Sequence, residues 1–251
     1  MGGGRRAAER AAAAAQVFVD HPAAPVLADA DAHHLARVLR LRRDETVVAA
    51  DGRGGWTLCR YVPEGPALEP LGATEFEPAP EPLLTVALAP VKGERSEWAV
   101  QKLTEIGIDR LVPLVAERSV VRWDDQRSVR ALERWSRVAR EAAAQCRRVW
   151  LPVVAPPVAL GDLAGDGLVL AEGGGPPPTA AAVTVAIGPE GGWSPTELAG
   201  RPTVGLGPHV LRAETAAVAA GVLLVALRTG TVAPDGGKGA QGSRRDEDGD
   251  G

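Results

Sequence analysis

The chain reads as an α/β protein whose larger, carboxyl-terminal part is built on a parallel sheet and follows a small β-rich domain. Three observations carry this reading. Residues 83–89 form the continuous apolar run of a strand buried on both faces, and a helical pattern and a second apolar run, 111–115, follow it. That strand–helix–strand order belongs to a parallel sheet. Two more apolar runs, 182–187 and 203–206, pass directly into Gly-Pro loops, as strands entering a tight turn do. Residues 16–76 instead hold short strand patterns divided by turn signals.

The bulk composition narrows the function classes. A length of 251 residues with 45% hydrophobic content suits one large domain or two modest ones. The two cysteines, Cys59 and Cys146, are far apart and lack metal-ligand spacing. Neither a disulfide framework nor a metal site is expected, and a reducing cytoplasmic setting is. No apolar run reaches membrane-spanning length, and 12–15 is too short for a signal-peptide core, so no membrane partner is expected. The net charge of −4 rules out a polycation, and any nucleic acid must be held by a local basic surface.

In chain order, 1–15 is a Gly/Ala/Arg extension, either a frayed helix or disordered, with no assigned function. After the strand around Val17 comes His33-His34-Leu35-Ala36-Arg37-Val38-Leu39-Arg40. Leu35, Val38 and Leu39 are expected on one helical face, with Arg37 and Arg40 elsewhere. The histidines read as cap and surface, since no metal partners are in range. Runs 46–50 and 55–62 flank Asp51-Gly52-Arg53-Gly54, a hairpin signal. Prolines 78, 80 and 82 make 77–82 a semi-rigid linker into a second domain, 83–233. The helix over 94–106 is expected to pack through Trp98, Val100-Gln101, Leu103 and Ile106 and to end at Gly107.

Residues 118–148 carry nine arginines against four acids, an imbalance that favours an RNA-facing surface over a merely solvated one, because guanidinium forks suit phosphate. On the helix near 127–146, Arg127, Arg130, Arg134 and Arg137 share one face, and Leu132, Trp135, Ala139 and Ala142 the other. Residues 167–172 form another buried strand, and 234–251, which lacks large apolar residues, reads as a disordered tail.

The candidate site is the pair of Gly-Pro loops, Ile187-Gly188-Pro189-Glu190-Gly191-Gly192 and Leu206-Gly207-Pro208-His209-Val210-Leu211-Arg212-Ala213-Glu214-Thr215-Ala216. Ligands of open α/β sheets bind outside the carboxyl ends of strands, and glycines let backbone approach them closely. Together the loops point to one composite pocket built largely from backbone. No Gly-x-x-x-x-Gly-Lys-Ser/Thr sequence is present, which argues against a P-loop hydrolase.

The two loops resemble the cofactor-binding motifs of the SPOUT superfamily of RNA methyltransferases. More narrowly, Lys92-Gly93-Glu94-Arg95, Trp98, Gln101-Lys102, Thr104-Glu105, Gly107 and the run from Leu206 to Ala216 resemble the RsmE family of 16S ribosomal RNA uridine N3-methyltransferases, over about residues 16–230. The resemblance implies a PUA-like barrel in 16–76 that grips RNA, then a SPOUT domain with a deep trefoil knot. It implies S-adenosylmethionine as methyl donor, bound in a bent form, and a homodimer. The implied substrate is one uridine near the 3′ end of 16S ribosomal RNA, position 1498 in the usual ribosomal numbering, within the assembled small subunit.

The resemblance also assigns residues. Cofactor contacts fall on Leu170, Ala171 and Glu172; on Ile187, Gly188, Pro189, Glu190, Gly191 and Gly192; and on Leu206, Gly207, Leu211, Arg212, Thr215 and Ala216. RNA contacts fall on Arg37, Arg40, Lys92, Arg95, Lys102, Arg118, Gln145 and Arg148, while Trp150 stands where a further arginine is typical and Gln16 sits beside the position of another. Methylation at N3 requires loss of that nitrogen's proton, and so a base or a cation that stabilises the anion. Arg212 is the candidate cation; Glu214 is either the base or a group that holds Arg212 and caps the helix with Thr215. N3 lies on the pairing edge, so the uridine must be unpaired or extruded. A SPOUT enzyme acting on another RNA site and a non-catalytic RNA-binding assembly factor are the alternative readings.

Overall fold

The structure, a computed structural model, describes residues 2–63, 67–121, 124–163, 165 and 167–232; the expected tail at 234–251 lies outside them. The chain opens with helix α1 (Gly2–Ala12). This extension is packed down: the Arg10 guanidinium lies 5.1 Å over the Trp56 ring and 2.7 Å from the Glu77 carboxylate. Strand β1 (Ala15–Phe18) begins one residue ahead of the expected boundary at 16 and runs parallel to β2 (Thr46–Ala50). β2 pairs antiparallel with β3 (Gly55–Val62), and β3 with both β4 (Ala67–Pro70) and β5 (Glu75–Phe76). The β2–β3 turn is an Asx turn: the Asp51 carboxylate accepts from the Arg53 and Gly55 amides at 2.6 and 3.0 Å.

Between β1 and β2 lies α2 (Asp29–His33), which runs on as a π-helical turn, His34–Val38, closed by the Leu39 amide on the His34 carbonyl at 2.9 Å. The expected three-residue apolar face does not form. The chain leaves the turn at Arg40 in the left-handed region (φ 53°), so only Leu35 reaches the strands, while Val38 is 61% and Leu39 44% exposed.

The second domain alternates strands and helices: β6 (Thr85–Leu88), α3 (Arg95–Ile106), β7 (Arg110–Val115), α4 (Asp125–Gln145), β8 (Val153–Val154), β9 (Val158–Ala159), β10 (Leu168–Ala171), β11 (Thr184–Ile187), α5 (Pro195–Leu198), β12 (Thr203–Val204) and α6 (Ala213–Arg228). The sheet order is β12-β10-β11-β6-β7-β8, with β9 also on β7, and every pair is parallel. One core cluster joins α3, α4 and α6 to β6 and β11, with Leu103, Trp135 and Leu224 nearly fully buried. On the other side, Leu160, Leu163 and Trp193 pack against Leu114 and Leu170.

The face α3 buries is Ser96, Ala99, Val100, Leu103 and Thr104. Its small residues admit α6 so closely that a Cβ on Gly221 would sit 2.6 Å from Leu103 Cδ2. Trp98, expected among the packing residues, falls off that stripe and is 46% exposed.

The domain's lower end is closed by a buried charge cluster. Asp109, 7% exposed, accepts from Arg148 Nη2 at 2.7 Å, from Arg228 Nη1 and from the Leu84 amide at 2.9 Å. Arg148 also donates to the Ile108 and Thr104 carbonyls at 2.6 and 3.3 Å, and Arg228 to the Gly107 carbonyl at 2.9 Å. Burial pulls the pKa of Arg148 below the usual arginine value, and the Asp109 carboxylate opposes that pull. Arg148 therefore does not present itself to RNA; its donors are satisfied inside the fold.

The two domains share a core. Phe18, Val48, Trp56 and Leu58 of the first pack with Ala143 and Val149 at the end of α4. Polar links reinforce it: Gln16 Nε2 donates to the Arg148 carbonyl at 2.7 Å, and Arg140 donates to the Phe18 carbonyl at 2.8 Å with its guanidinium 5.0 Å over the Phe18 ring. Trp150 Nε1 donates to the Glu77 carbonyl at 2.8 Å.

Two outcomes are expected. Asp109→Ala strands two buried guanidiniums and should cost about 3–5 kcal/mol, read as a lower urea midpoint. Burial pushes the Cys59 thiol up to about 11 and raises that of Cys146 as well. At about pH 8 iodoacetamide should therefore modify neither residue in the native protein and both in urea, as followed by mass spectrometry.

Candidate functional site

Strands β10, β11 and β12 are neighbours in the sheet, and their carboxyl ends open onto one hollow of about 540 Å³. Local chemistry shapes each wall. After β11, the Gly192 amide donates to the Pro189 carbonyl at 2.8 Å, a tight turn with Gly192 in the left-handed region (φ 69°). The chain then enters α5 through a capping box, Ser194 to the Glu197 amide at 3.1 Å and Glu197 to the Ser194 amide at 2.9 Å, with Pro195 in the first turn. The second Glu197 oxygen accepts from the Glu117 amide at 2.9 Å, which ties this loop to the end of β7.

Trp193 forms the floor. It is buried, and its indole N–H donates to the Ala171 carbonyl at 2.9 Å, linking the β11 loop to the end of β10. A Cβ on Gly188 would lie 2.9 Å from that ring, so Gly188 is required by close approach. The third wall follows β12. The Gly205 amide donates to the Pro176 carbonyl at 2.8 Å and the Glu172 amide to the Val204 carbonyl at 3.0 Å. Arg212, with extended backbone, is the N-cap of α6.

Of the residues expected at a cofactor, Ala171, Glu172, Ile187, Gly188, Pro189, Glu190, Gly192, Leu206, Gly207, Leu211, Arg212 and Ala216 line the hollow. Leu170 does not; it is fully buried in the core beneath. Gly191 abuts Arg118 instead, and Thr215 is exposed outside the lining. Gly173, Trp193, His209, Val210 and Ala213 also line it; the last three lie in the second candidate loop, but none of the five carried an expected cofactor contact. Trp193 carried a signal, a large apolar residue directly after the Gly-Gly of the first loop. Val210 is fully exposed.

The charged groups divide sharply. Arg212 is exposed and is the one Lys or Arg among the described lining residues. Arg95, at the start of α3, donates through Nη1 to Glu190 at 2.9 Å and to Glu214 at 3.5 Å, and through Nε to the Lys92 carbonyl at 3.2 Å. The hydrogen bond to Glu190 is the main reason its pKa is raised above the ordinary arginine value. Glu214 is 8% exposed, lies outside the lining, and keeps Oε2 buried without a hydrogen-bond partner. Arg118 Nη1 donates to the Gly191 carbonyl at 3.1 Å.

The other expected RNA contacts are dispersed. Arg37 and Arg40 are exposed on the first domain, Lys92 precedes α3, and Gln145 is exposed at the end of α4. Lys102 is paired with Glu105 at 2.9 Å on α3. Along α4, Arg130 and Arg137 are exposed, whereas Arg134 pairs with Glu97 at 3.3 Å and Arg127 with Asp124 at 3.4 Å. A second hollow, about 590 Å³, lies at the β10–β12 edge; its one charged lining residue, Arg201, donates to the Glu197 carbonyl. Among the described residues no cluster of His, Cys, Asp and Glu is arranged to hold a metal ion, and no helix is long and apolar enough to cross a membrane.

Comparison with known proteins shows the chain's family. A family model described as an RNA methyltransferase domain matches residues 78–225, and one described as an RNA methyltransferase PUA domain matches 27–66. The chain is 36% identical over 226 residues to the ribosomal RNA small subunit methyltransferase E of Mycobacterium bovis, covering 80% of this chain and 86% of that protein. Identity to the protein of that name from Synechocystis is 33% over 219 residues, covering 76% of this chain and 69% of that one. Among solved structures, a putative methyltransferase of Legionella pneumophila in complex with bound SAM superposes with a TM-score of 0.72 at 27% identity, covering 84% of this chain and 96% of that one. The ribosomal RNA small subunit methyltransferase E of Neisseria gonorrhoeae, bound to S-adenosyl methionine, gives 0.69 at 25%, covering 86% and 97%.

Gly188→Ala tests the floor. The added methyl group must displace the Trp193 ring, with an expected loss of about 1–3 kcal/mol in chemical denaturation.

Proposed function

Because the chain belongs to the ribosomal RNA small subunit methyltransferase E family, we propose that it transfers a methyl group from S-adenosylmethionine to N3 of one uridine of 16S ribosomal RNA. The observation that carries this reading is the single hollow at the ends of three adjacent parallel strands, lined by both Gly-Pro loops and by Arg212. In this reading 16–76 grips RNA, 77–82 links, and 83–233 is the transfer domain, threaded as a deep trefoil knot. The protein works as a cytoplasmic homodimer on the assembled small subunit.

The walls suit the donor's chemistry. A volume of about 540 Å³ falls within the range of small-molecule sites. Ile187, Leu206 and Leu211 offer an apolar slot for a base, the glycine-loop backbone offers amides and carbonyls for its edge, and the carboxylate of Glu172 suits a cationic ligand. When bound there, S-adenosylmethionine supplies an electrophilic methyl group.

The residues of this chain then act on the uridine. Loss of the N3 proton to solvent at the open side of the hollow places negative charge over N3 and its two flanking carbonyl oxygens, and Arg212 is the cation that lines the hollow to meet it. Glu214 is buried, bonded to Arg95 and outside the lining; these facts favour a holding role over proton acceptance. Exposed Arg37 and Arg40 on the first domain and Arg130 and Arg137 on α4 offer donors for phosphates.

The test is methyl transfer from labelled S-adenosylmethionine to undermethylated small subunits, with mass spectrometry of the digested RNA. N3-methyluridine at one site is the expected product. Arg212→Ala should slow transfer by about 10²-fold and hold the cofactor Kd within about threefold of wild type. A product methylated at another atom would assign a different substrate, and a protein that binds no cofactor would overturn the reading.

A further inference from the structure

Arg95 stands in the Lys-Gly-Glu-Arg sequence that, by resemblance, pointed to RNA. Its surroundings point elsewhere. Its Nη1 lies between two carboxylates from different segments: Glu190, in the glycine loop after β11, at 2.9 Å, and Glu214, in the first turn of α6, at 3.5 Å. Those segments form two walls of the hollow. The guanidinium is also braced from its own side, because Nε donates to the Lys92 carbonyl at 3.2 Å. The Arg95 side chain is one-third exposed and that of Glu214 only one-tenth.

The second carboxylate oxygen makes the geometry telling. Glu214 Oε2 is buried and has no hydrogen-bond partner. Arg95 is the one ion-pair partner of Glu214 among the described residues. An ionised carboxylate in that position needs a compensating cation. Drawing Arg95 outward to a phosphate would remove it. Residue 214 lies two positions beyond Arg212, so displacement of this turn displaces Arg212 as well.

We infer that Arg95 is a positioning residue of the pocket: through Glu190 and Glu214 it holds the glycine loop and the first turn of α6 in register, and it is not an RNA contact. The inference rests on the reading of this hollow as the S-adenosylmethionine site, and wild-type cofactor binding is the control that separates the two.

The experiment compares wild type, Arg95→Ala, Arg95→Lys, Glu190→Gln and the Arg95→Ala/Glu190→Gln pair. It measures S-adenosylmethionine Kd without RNA, KM for small subunits, thermal unfolding, and hydrogen exchange of the apo protein. Two bonded amides report on the two walls, Gly192 to the Pro189 carbonyl and Ala216 to the Arg212 carbonyl, each at 2.8 Å. Arg95→Ala should raise the Kd at least about tenfold, speed exchange at both amides, and leave KM for small subunits near wild type. Arg95→Lys, which keeps the charge, should recover most of the loss. The pair should be no weaker than Arg95→Ala alone, as for two groups acting through one bond. Should Arg95→Ala fail to fold, Arg95→Gln measured in the same way decides. An unchanged cofactor Kd and unchanged amides, with a raised KM for small subunits and a salt slope shallower by about one, would overturn the inference and make Arg95 a phosphate contact. A wild type that binds no cofactor would overturn the pocket's assignment itself.

Discussion

Asp109 is where the second domain is tied off. One carboxylate receives a guanidinium from the segment after α4, another from the last turn of α6, and the amide of Leu84 just before β6. The cluster is walled by carbonyls at the end of α3. Each charge is desolvated, so each depends on the others, and removal of any one leaves its partners uncompensated. α6 has 16 residues and spans about 24 Å at the usual rise per residue. Its carboxyl end is anchored in this cluster and its amino end carries Arg212 to the hollow. The placement of the candidate catalytic cation thus depends on an ion cluster at the far end of the same rod.

The hollow itself shows a division of labour. Its inner surface is mostly backbone and small apolar side chains, and the residues that give it shape stand behind. Beneath the Trp193 floor, Glu197 ties the loop to β7, and Arg118 holds the Gly191 carbonyl. Backbone walls suit a ligand whose polar groups lie on the edge of a flat ring, because amides and carbonyls offer fixed directions without rotamer freedom. The arrangement also explains why few side chains in the lining carry charge.

The parallel sheet was legible in the sequence because both-face burial writes continuous apolar runs, as in β6 and β11. The Gly-Pro loops marked the carboxyl ends of β11 and β12, and most of the expected lining residues do meet there. What was hidden is charge pairing at long range. Asp109 and Arg228 are 119 positions apart, as are Arg95 and Glu214. Nothing local distinguishes an arginine that folds inward from one that faces a phosphate. Arg148, expected at RNA, is of the inward kind. Trp98 and Val38 failed differently: periodicity assumes a regular helix against a broad partner, and α3 buries a narrow stripe while the π-helical turn ends too soon.

The core shared by the two domains has a further consequence. With Phe18, Trp56 and Val149 in one cluster, and Gln16 and Trp150 bonded across the boundary, the two domains are joined, among the described residues, by packed side chains and hydrogen bonds as well as by the linker. If the first domain holds RNA as proposed, that packing makes the protein in effect a fixed gauge. On the proposed function, a nucleotide would be admitted only if the RNA, once held, placed a base at the distance the gauge is set to. Selectivity of this kind resides in the shape of the folded RNA, and the work of bending falls on the substrate.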